Sequence, residues 1–183
     1  MRRTAHAHAA VAAALAAGDA ALDGTAGNGR DTLALARLVG PAGRVFAVDV
    51  QPEAVARTRL LLAEARVTNV TLIEADHARL AELVPAEFHG RLGAAMFNLG
   101  NLPGSGRAVA TTTPTTLVAL AAAWGLLRPG GLLSVVAYRG HPGGAAECLA
   151  VEALLFDLAG EGVQTAEGWN ATSPKLFLAA RRP

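Results

Sequence analysis

Short hydrophobic runs alternate along the chain with longer stretches in which apolar residues recur at helical spacing. Glycine and proline separate many of these segments and mark the turns between them. The predicted strands are Ala20–Asp23, Arg44–Asp49, Val70–Glu74, Leu92–Asn98, Leu132–Tyr138, Val163–Trp169 and Leu176–Ala180. The predicted helices are Ala5–Ala17, Arg30–Leu38, Pro52–Ala65, Ala78–Val84, Pro114–Leu127 and Gly144–Ala159, with a turn at Pro129–Gly131.

This alternation predicts an α/β fold, in which a doubly wound and mostly parallel sheet has helices on both faces. The last two predicted strands have no helix between them, so we expect an antiparallel strand near one edge of the sheet. Ligands of such sheets bind beyond the carboxyl ends of the strands, near the switch in strand order. Polar residues at those strand ends are therefore the candidate site residues.

Composition narrows the class of protein. The 183 residues suffice for one domain, and we expect residues 1–183 to form it, with residues 1–18 as an N-terminal helix packed on it. The chain is 52% hydrophobic and 17% charged, which excludes a disordered protein. Its net charge of +1 gives no large basic field for nucleic acid, although a local patch would suffice.

Two further features bear on the cellular compartment. The single cysteine, Cys148, excludes an internal disulfide and agrees with a reducing cytoplasm. The basic and alanine-rich start of the chain resembles a secretion signal, but it contains His6 and His8 and leads directly into a structural motif at Asp23. No segment reaches the roughly 20 apolar residues of a membrane span. We therefore expect a cytoplasmic protein without a membrane partner.

A glycine-rich loop follows the first predicted strand, with the sequence D-G-T-A-G-N-G-R-D. Gly24, Gly27 and Gly29 give the order G-x-x-G-x-G, whereas dinucleotide-binding folds show G-x-G-x-x-G. Asp23 would repel a pyrophosphate but would stabilise the ammonium and sulfonium of S-adenosylmethionine. The loop therefore favours S-adenosylmethionine over NAD as the cofactor.

Polar residues beyond the loop are the remaining candidate cofactor ligands. Asn28 and Asp31 are candidates for the methionine end of the cofactor, with helix capping as the alternative. Asp49 ends the second strand and can accept hydrogen bonds from both ribose hydroxyls, assisted by Gln51. Further candidates, at the end of the third strand where an adenine would lie, are Asp76 and His77, although His77 is equally explained as a surface turn residue.

Four segments together carry a resemblance to a known family. These segments are D-G-T-A-G-N-G-R-D-T, V-F-A-V-D-V-Q, M-F-N-L-G-N-L-P-G and Y-R-G-H-P-G-G-x-x-E. They resemble the small bacterial class I methyltransferases that are often labelled rRNA methylases, which have a Rossmann-like fold. The first two segments are general to methyltransferases, and the last two together are specific to the family. The resemblance extends from Gly18 to about Leu178.

The resemblance implies a function. Better-characterised members of the family use S-adenosylmethionine to methylate the aminomethyl group on the wobble uridine of tRNA, which gives 5-methylaminomethyl-2-thiouridine. We therefore expect a tRNA-modifying methyltransferase without a metal. The family usually has His at the position of Arg30 and often Gly at the position of Ser105, so the substrate is less firmly implied than the cofactor. Because no RNA-binding extension is apparent, loops or a second subunit must hold the tRNA, and a homodimer would supply the latter.

The acceptor side of the expected site follows the fourth and fifth strands. Asn98 is the first catalytic candidate, because its carbonyl can orient the lone pair of an acceptor amine, with turn formation as the alternative. His141 is the second catalytic candidate, as a base or as an RNA contact. The candidate substrate contacts are Leu99, Gly100, Tyr138 and Arg139.

Several other residues carry weaker hypotheses. Glu147 faces the same cleft or is a carboxylate at a helix start. Arg30, Arg107 and Arg139 lie at the same sheet edge and form a candidate phosphate contact. Trp169 and Asn170 are candidates for lining the pocket. His6 and His8 are not expected to bind a metal, because a spacing of two on a helix points them apart.

Alternative functions remain open at this point. Within the class, the methyl acceptor is an rRNA or a small molecule rather than tRNA. In other classes, the chain is an NAD(P)-dependent oxidoreductase, which the glycine order and Asp23 disfavour, or a nucleoside-binding module without catalysis.

Overall fold

Strands and helices alternate along most of the chain in the computed structural model, which describes residues 3–100, 111–166, 170 and 172–182. The strands are β1 Ala20–Asp23, β2 Arg44–Asp49, β3 Val70–Glu74, β4 Leu92–Leu99, β5 Leu127–Ala137, β6 Val163–Ala166 and β7 Lys175–Ala180. The helices are α1 Arg3–Ala14, α2 Arg30–Val39, α3 Pro52–Glu64, α4 Leu80–Leu83, α5 Thr113–Leu126 and α6 Gly144–Ala159. Short 3₁₀ turns lie at His77–Arg79, Ala86–Phe88 and Gly160–Gly162.

The seven strands form one sheet in the order β3-β2-β1-β4-β5-β7-β6. The pairs among β1 to β5 are parallel, whereas β7 runs antiparallel to both β5 and β6. The predicted doubly wound sheet with an antiparallel strand near one edge is confirmed. The chain order reverses between β1 and β4, which places the expected ligand crevice beyond the carboxyl ends of these two strands.

Alternating side chains of the strands supply two hydrophobic cores, one on each face of the sheet. In β1, Leu22 packs with α5 and α6 on one face, and Ala21 packs with α1 and α2 on the other. In β4, Phe97 and Met96 divide in the same way. The central strands β1 and β4 are therefore apolar on both sides, as expected for a sheet covered by helices, whereas β3 and β6 near the edges are only partly buried.

Helix α1 covers part of one face of this sheet. Ala7 and Val11 are one helical turn apart, are fully buried and belong to the same core as Val136 and Leu176. The helix ends at Ala14, three residues before the predicted end. It is thus fastened to the sheet along one side by small apolar residues.

The predicted turn at Pro129–Gly131 is wrong as a boundary, because the chain enters β5 already at Leu127. The pairing with β4 jumps from Leu92–Leu127 to Ala94–Leu132, so the intervening residues bulge out of the ladder. Gly130 (φ 77°) donates its N–H to the Arg181 carbonyl at 2.8 Å, and Gly131 accepts from the Arg181 N–H at 2.9 Å. These bonds keep the glycine pair attached to the sheet.

The other boundaries agree with prediction within a few residues. The predicted helix over Ala78–Val84 is a 3₁₀ turn followed by α4, because Asp76 caps the turn. The predicted strand Val163–Trp169 is observed up to Ala166, and residues 167–169 lie outside the described part. Among the described residues, no helix is long and apolar enough to cross a bilayer.

Candidate active site

The carboxyl ends of four neighbouring strands bring many of the predicted site residues to one edge of the sheet. Asp23 ends β1, Asp49 ends β2 and Asn98 is the penultimate residue of β4. Tyr138 follows directly after β5. Because β1 and β4 are adjacent in space, this edge contains the switch in strand order where such folds bind ligands.

The loop between β1 and α2 is shaped by glycine. Gly27 and Gly29 have φ angles of 54° and 77°, in the left-handed region that favours glycine. A Cβ on Gly29 would lie 2.9 Å from the Thr58 hydroxyl and 3.0 Å from the Thr58 Cα. The same hydroxyl donates to the Gly27 carbonyl at 3.2 Å and so joins the loop to α3. The loop is held in a conformation that other residues adopt only with strain.

Gly24 is required for a different reason, which is close approach. A Cβ on Gly24 would lie 2.1 Å from the nearest ring atom of Phe97, whose side chain is buried beneath the loop. The Gly24 N–H also donates to the Met96 carbonyl at 2.9 Å, which continues the pairing of β1 with β4. The start of the loop therefore lies directly on the aromatic ring.

Asp23 lies beneath the loop rather than on its surface. Its carboxylate is fully buried and accepts hydrogen bonds from the Thr25 N–H at 3.2 Å and from the Thr32 hydroxyl at 2.6 Å. Burial, followed by the nearby Asp31, raises the pKa of Asp23 to about 7. We expected Asp23 to contact a positively charged cofactor directly. In this conformation its side chain instead faces inward to Thr32.

Asp49 fixes the loop to the end of β2. Its two carboxylate oxygens accept from the Gly27 N–H at 2.8 Å and from the Gln51 N–H at 2.9 Å. The side chain is only partly buried, and a carboxylate has about four lone-pair sites, so capacity for further donors remains. The observed contribution of Gln51 is its backbone N–H.

Asn28, Asp76 and His77 border the same loop. Asn28 accepts from Arg57 at 3.2 Å in an exposed position, and Asp76 caps the 3₁₀ turn that His77 begins. Burial lowers the pKa of His77, although the Asp76 carboxylate opposes this shift. The His77 ring contacts Phe97 edge to face with centroids 6.2 Å apart. His77 is thus packed against the core rather than placed on a free surface turn.

Asp31 connects the two halves of the site. It lies in the first turn of α2, where the helix N-terminus stabilises a carboxylate. One of its oxygens accepts a hydrogen bond from the Asn98 side-chain amide, and the other pairs with His8 Nε2 at 2.5 Å. The Asn98 N–H donates to the Thr25 hydroxyl at 2.7 Å. A candidate at the start of α2 and a candidate at the end of β4 are therefore in direct contact.

The contact of His8 with Asp31 was not predicted from the sequence. Its own periodicity gives no signal, because a histidine on an alanine-rich helix is ordinarily a solvated residue. The available signal lay in its neighbours, since the buried pair Ala7 and Val11 determines which side of α1 faces the sheet. Asp31 itself was expected at the cofactor, and the partner that reaches it comes from 23 residues earlier.

The end of β4 and the start of the segment after β5 form the acceptor side. The Leu99 side chain is fully buried, so its predicted substrate contact is wrong for the side chain, and its carbonyl accepts from the Tyr138 N–H at 3.0 Å. A Cβ on Gly100 would lie 3.1 Å from the Tyr138 Cβ. Tyr138 is 42% exposed, and partial burial, followed by Asp31, raises its pKa. Tyr138 therefore presents an aromatic surface at this edge.

Arg139 holds a turn of the chain instead of pointing free. Its guanidinium donates to the Ser173 carbonyl at 2.8 Å and to the Asn170 carbonyl at 3.1 Å. The Asn170 side chain accepts from the Ser173 N–H at 2.8 Å and so closes the same turn. These bonds use two of the five N–H donors of the guanidinium, and they connect Arg139 to Asn170 and Ser173.

His141 and Glu147 lie between Tyr138 and the body of α6. His141 Nδ1 lies 3.1 Å from the Pro142 carbonyl, whereas Nε2 is buried and has no hydrogen-bond partner among the described residues. Glu147 is 2% exposed and accepts from the hydroxyls of Thr111 at 2.8 Å and Thr116 at 2.6 Å. Glu147 thus fastens the start of α5 to α6.

Part of the expected acceptor side lies outside the described residues. This holds for the segment 101–104 of the family motif, and for Ser105, Arg107 and Trp169. Arg30 is described and exposed at the start of α2. Within the described residues, no three His, Cys, Asp or Glu side chains group as a metal site.

The residues at this edge fit S-adenosylmethionine in chemistry. Asp49 retains acceptor capacity for a ribose diol, and the glycine backbone at Gly27 and Gly29 allows close approach of a ligand. Asp31 supplies a carboxylate for an ammonium, and the start of α2 supplies the positive end of a helix for a carboxylate. A pyrophosphate would meet the acidic side chains of Asp31 and Asp49 here.

The fold and this edge define a class I methyltransferase. A "putative rRNA-methylase" from Clostridium thermocellum has a crystal structure that is similar over 98% of both chains, with a TM-score of 0.90 and 33% identity. A methyltransferase structure from Streptococcus mutans, solved in complex with S-adenosylhomocysteine, matches over 98% of both chains with a TM-score of 0.86 and 32% identity.

Sequence comparison specifies the family within this class. The model of the family described as "Putative rRNA methylase" matches residues 45–176, so the chain belongs to this family of S-adenosylmethionine-dependent methyltransferases. The chain is also 43% identical, over 145 residues, to a chloroplastic tRNA (mnm(5)s(2)U34)-methyltransferase of Arabidopsis thaliana. That match covers 74% of this chain and 52% of the relative, so the chain spans about half the length of that relative.

Proposed function

We propose that this protein transfers a methyl group from S-adenosylmethionine to the amine of the 5-aminomethyl group on the wobble (2-thio)uridine of tRNA. The similarity to the Arabidopsis thaliana enzyme supports this acceptor, because that relative is named for the same position of tRNA. The observation that carries the proposal is the contact between the Asn98 amide and the Asp31 carboxylate at the acceptor side.

The cofactor half of the edge binds and orients the donor. When bound, S-adenosylmethionine supplies a methyl group activated by a positively charged sulfur. Asp49 accepts from the ribose, while its existing bonds to the N–H groups of Gly27 and Gln51 keep the carboxylate in a fixed orientation. Asp31 attracts the ammonium of the methionine part.

Asn98 orients the acceptor amine. A carboxylate only accepts hydrogen bonds, so the amide nitrogen of Asn98 must face Asp31, and its carbonyl oxygen is left to accept. No hydrogen bond to this oxygen occurs within the described residues. An amine N–H donated to the carbonyl fixes one of the two N–H bonds and so limits the directions open to the lone pair, and such positioning contributes a large part of the rate of a bimolecular transfer.

His141 removes the proton that the amine loses after methylation. It lies in the segment that follows β5, as Tyr138 does. Histidine is the side chain that most often serves as a general base, and this is the role that we propose for His141. Tyr138, which is exposed at the same side, stacks on the base that carries the amine.

The tRNA is the proposed macromolecular partner, and the exposed Arg30 contacts its backbone. We place the reaction in the cytoplasm, where the free thiol of Cys148 stays reduced. A homodimer would supply additional surface for a substrate much larger than this edge. These assignments rest on the same acceptor chemistry and fall with it.

The test uses S-adenosylmethionine with a deuterated methyl group, the purified protein and tRNA carrying 5-aminomethyl-2-thiouridine. The RNA is digested and its nucleosides are analysed by mass spectrometry. We expect the label in 5-methylaminomethyl-2-thiouridine, and no label in the matched control, a transcript of the same tRNA without modifications. Label in rRNA but not in this tRNA would support the family's named substrate instead. Absence of label in both would overturn the proposal.

A further inference from the structure

We propose that His8 on α1 is a positioning residue for methyl transfer, which acts through Asp31 on the orientation of Asn98. This inference rests on the proposed function, because it assigns to Asn98 the acceptor amine. It goes further in making the N-terminal helix a part of the site rather than a cover of the sheet.

The contact between His8 and Asp31 is short and partly shielded from water. The His8 Nε2 lies 2.5 Å from Asp31 Oδ1, and the side chains are 35% and 10% exposed. The other oxygen of the same carboxylate accepts from the Asn98 amide. Asp31 therefore has one partner on each oxygen, and both partners come from outside its own helix.

Helix α1 is anchored well enough to hold His8 in place. Ala7, the neighbour of His8, and Val11, one turn later, are both fully buried, with 0% accessible surface. They lie in the core that contains Met96 of β4 and Val136 of β5. Helix α1 therefore packs on β4, which contains Asn98, and on β5, which Tyr138 follows.

Asp31 needs the second partner to serve Asn98. A carboxylate bonded at one oxygen alone can rotate about its terminal torsion, which is broad for aspartate. The donor from His8 removes this freedom and restricts the direction from which Asn98 can bond. The negative charge of Asp31 also raises the pKa of both Asp23 and Tyr138, so a donor that stabilises this charge is favourable at this position.

The kinetic test compares three variants of the full chain. His8→Ala removes the donor, His8→Gln keeps an N–H at a similar distance from the backbone, and His6→Ala is the matched control, an exposed histidine on the same helix. We expect His8→Ala to lower kcat on the order of tenfold, with KM for tRNA changed less than about twofold. His8→Gln should recover most of kcat, and His6→Ala should match the wild type.

A double variant shows whether His8 acts through Asn98. If it does, His8→Ala should slow the Asn98→Ala enzyme no further, because the group being positioned is already gone. Losses that multiply in the double variant would overturn the inference, as would an equal loss of kcat in His6→Ala. An unchanged kcat in His8→Ala would overturn it too.

A readout that needs no turnover separates this inference from the proposed function. The Asn98 side-chain amide signal in a ¹H–¹⁵N NMR spectrum is identified by its disappearance in Asn98→Ala. We expect this signal to shift in His8→Ala, to return towards its wild-type position in His8→Gln and to stay unchanged in His6→Ala. An Asn98 signal that is unaffected by His8→Ala would overturn the inference, even if tRNA is methylated. Conversely, the shift stands as support if wild type proves to act on another substrate.

Discussion

The cofactor half and the acceptor half of the sheet edge are built in different ways. In the cofactor half, formed by the ends of β1 and β2, the separation along the chain ranges from 9 residues, between Asp23 and Thr32, to 31 residues, between Gly27 and Thr58. In the acceptor half, formed by the ends of β4 and β5, Asn98 is held by a residue 67 positions earlier. The cofactor half is a local motif, whereas the acceptor half is assembled by the whole fold.

This difference separates what is shared by many methyltransferases from what is specific to one substrate. A glycine loop closed by a nearby carboxylate forms wherever the strand, loop and helix are present. The acceptor half also requires α1 for His8 and the turn that Arg139 fastens, and it exposes Tyr138. Perturbations of the two halves should therefore have separable effects on stability, cofactor binding and turnover.

The largest expected effect concerns the buried carboxyl group of Asp23 in the cofactor half and the free energy of unfolding. Burial raises the pKa of Asp23 from 3.8 to about 7, so the folded state binds a proton that the unfolded state has lost. The stability gained from this proton is complete below pH of about 4 and is lost as the pH rises through about 7. We expect the free energy of unfolding of wild type, relative to Asp23→Asn, to fall over this range by up to about 4 kcal/mol.

Urea unfolding of both proteins at a series of pH values measures this difference. Asp23→Asn is the matched variant, since an amide of the same shape is neutral throughout and can still accept from the Thr25 N–H. If the difference in free energy of unfolding between the two proteins stays constant from pH 4 to 7, Asp23 is solvated. The contrast between a buried Asp23 in the cofactor half and an exposed Tyr138 in the acceptor half would then be wrong.

The next effect concerns cofactor affinity. Asp49→Ala removes the acceptor of two backbone N–H groups and of the ribose hydroxyls, so we expect the Kd of S-adenosylhomocysteine to rise about 100-fold, or about 2.7 kcal/mol. Isothermal calorimetry measures the change, with Glu53→Ala, an exposed carboxylate nearby on α3, as the control. Equal affinities for Asp49→Ala and the control would contradict the assignment of the cofactor half.

A smaller effect tests the close approach of the loop to the core. In Gly24→Ala the new methyl group would overlap the Phe97 ring, so we expect the free energy of unfolding to fall by about 2 kcal/mol. The matched substitution Gly125→Ala adds a methyl group in helix α5, where no atom lies within 4 Å, and should stabilise by about 0.5–1 kcal/mol. Chemical denaturation of the two variants measures both values. If both substitutions stabilise, the described packing of the loop is wrong.

The contrast between the halves also explains how much of the fold can be predicted from the sequence. The strands β1, β2 and β4 were predictable, because mainly apolar runs next to glycine-containing turns favour buried parallel strands. The start of β5 was not, because Pro129–Gly131 resembles a turn and its pairing with Arg181 depends on a strand at the far end of the chain. Local patterns contain no information on such a partner.

The candidate site follows the same rule. Gly27, Gly29 and Asp49 were identifiable, because each lies at a strand end or in a loop whose backbone needs glycine. The inward orientation of Asp23 and the committed guanidinium of Arg139 depend on side-chain partners that spacing does not reveal. His8 was missed, because a contact across 23 residues between two helices has no periodic signature.

The measurement that tests the central claim most directly separates binding from chemistry in Asn98→Ala. On one preparation, the Kd of S-adenosylhomocysteine is measured by calorimetry, and the methylation rate of tRNA is measured in single turnover. The account predicts a Kd within about twofold of wild type and a rate lower by about 100-fold, because Asn98 orients only the acceptor. A rate equal to wild type, or a loss confined to cofactor affinity, would contradict it.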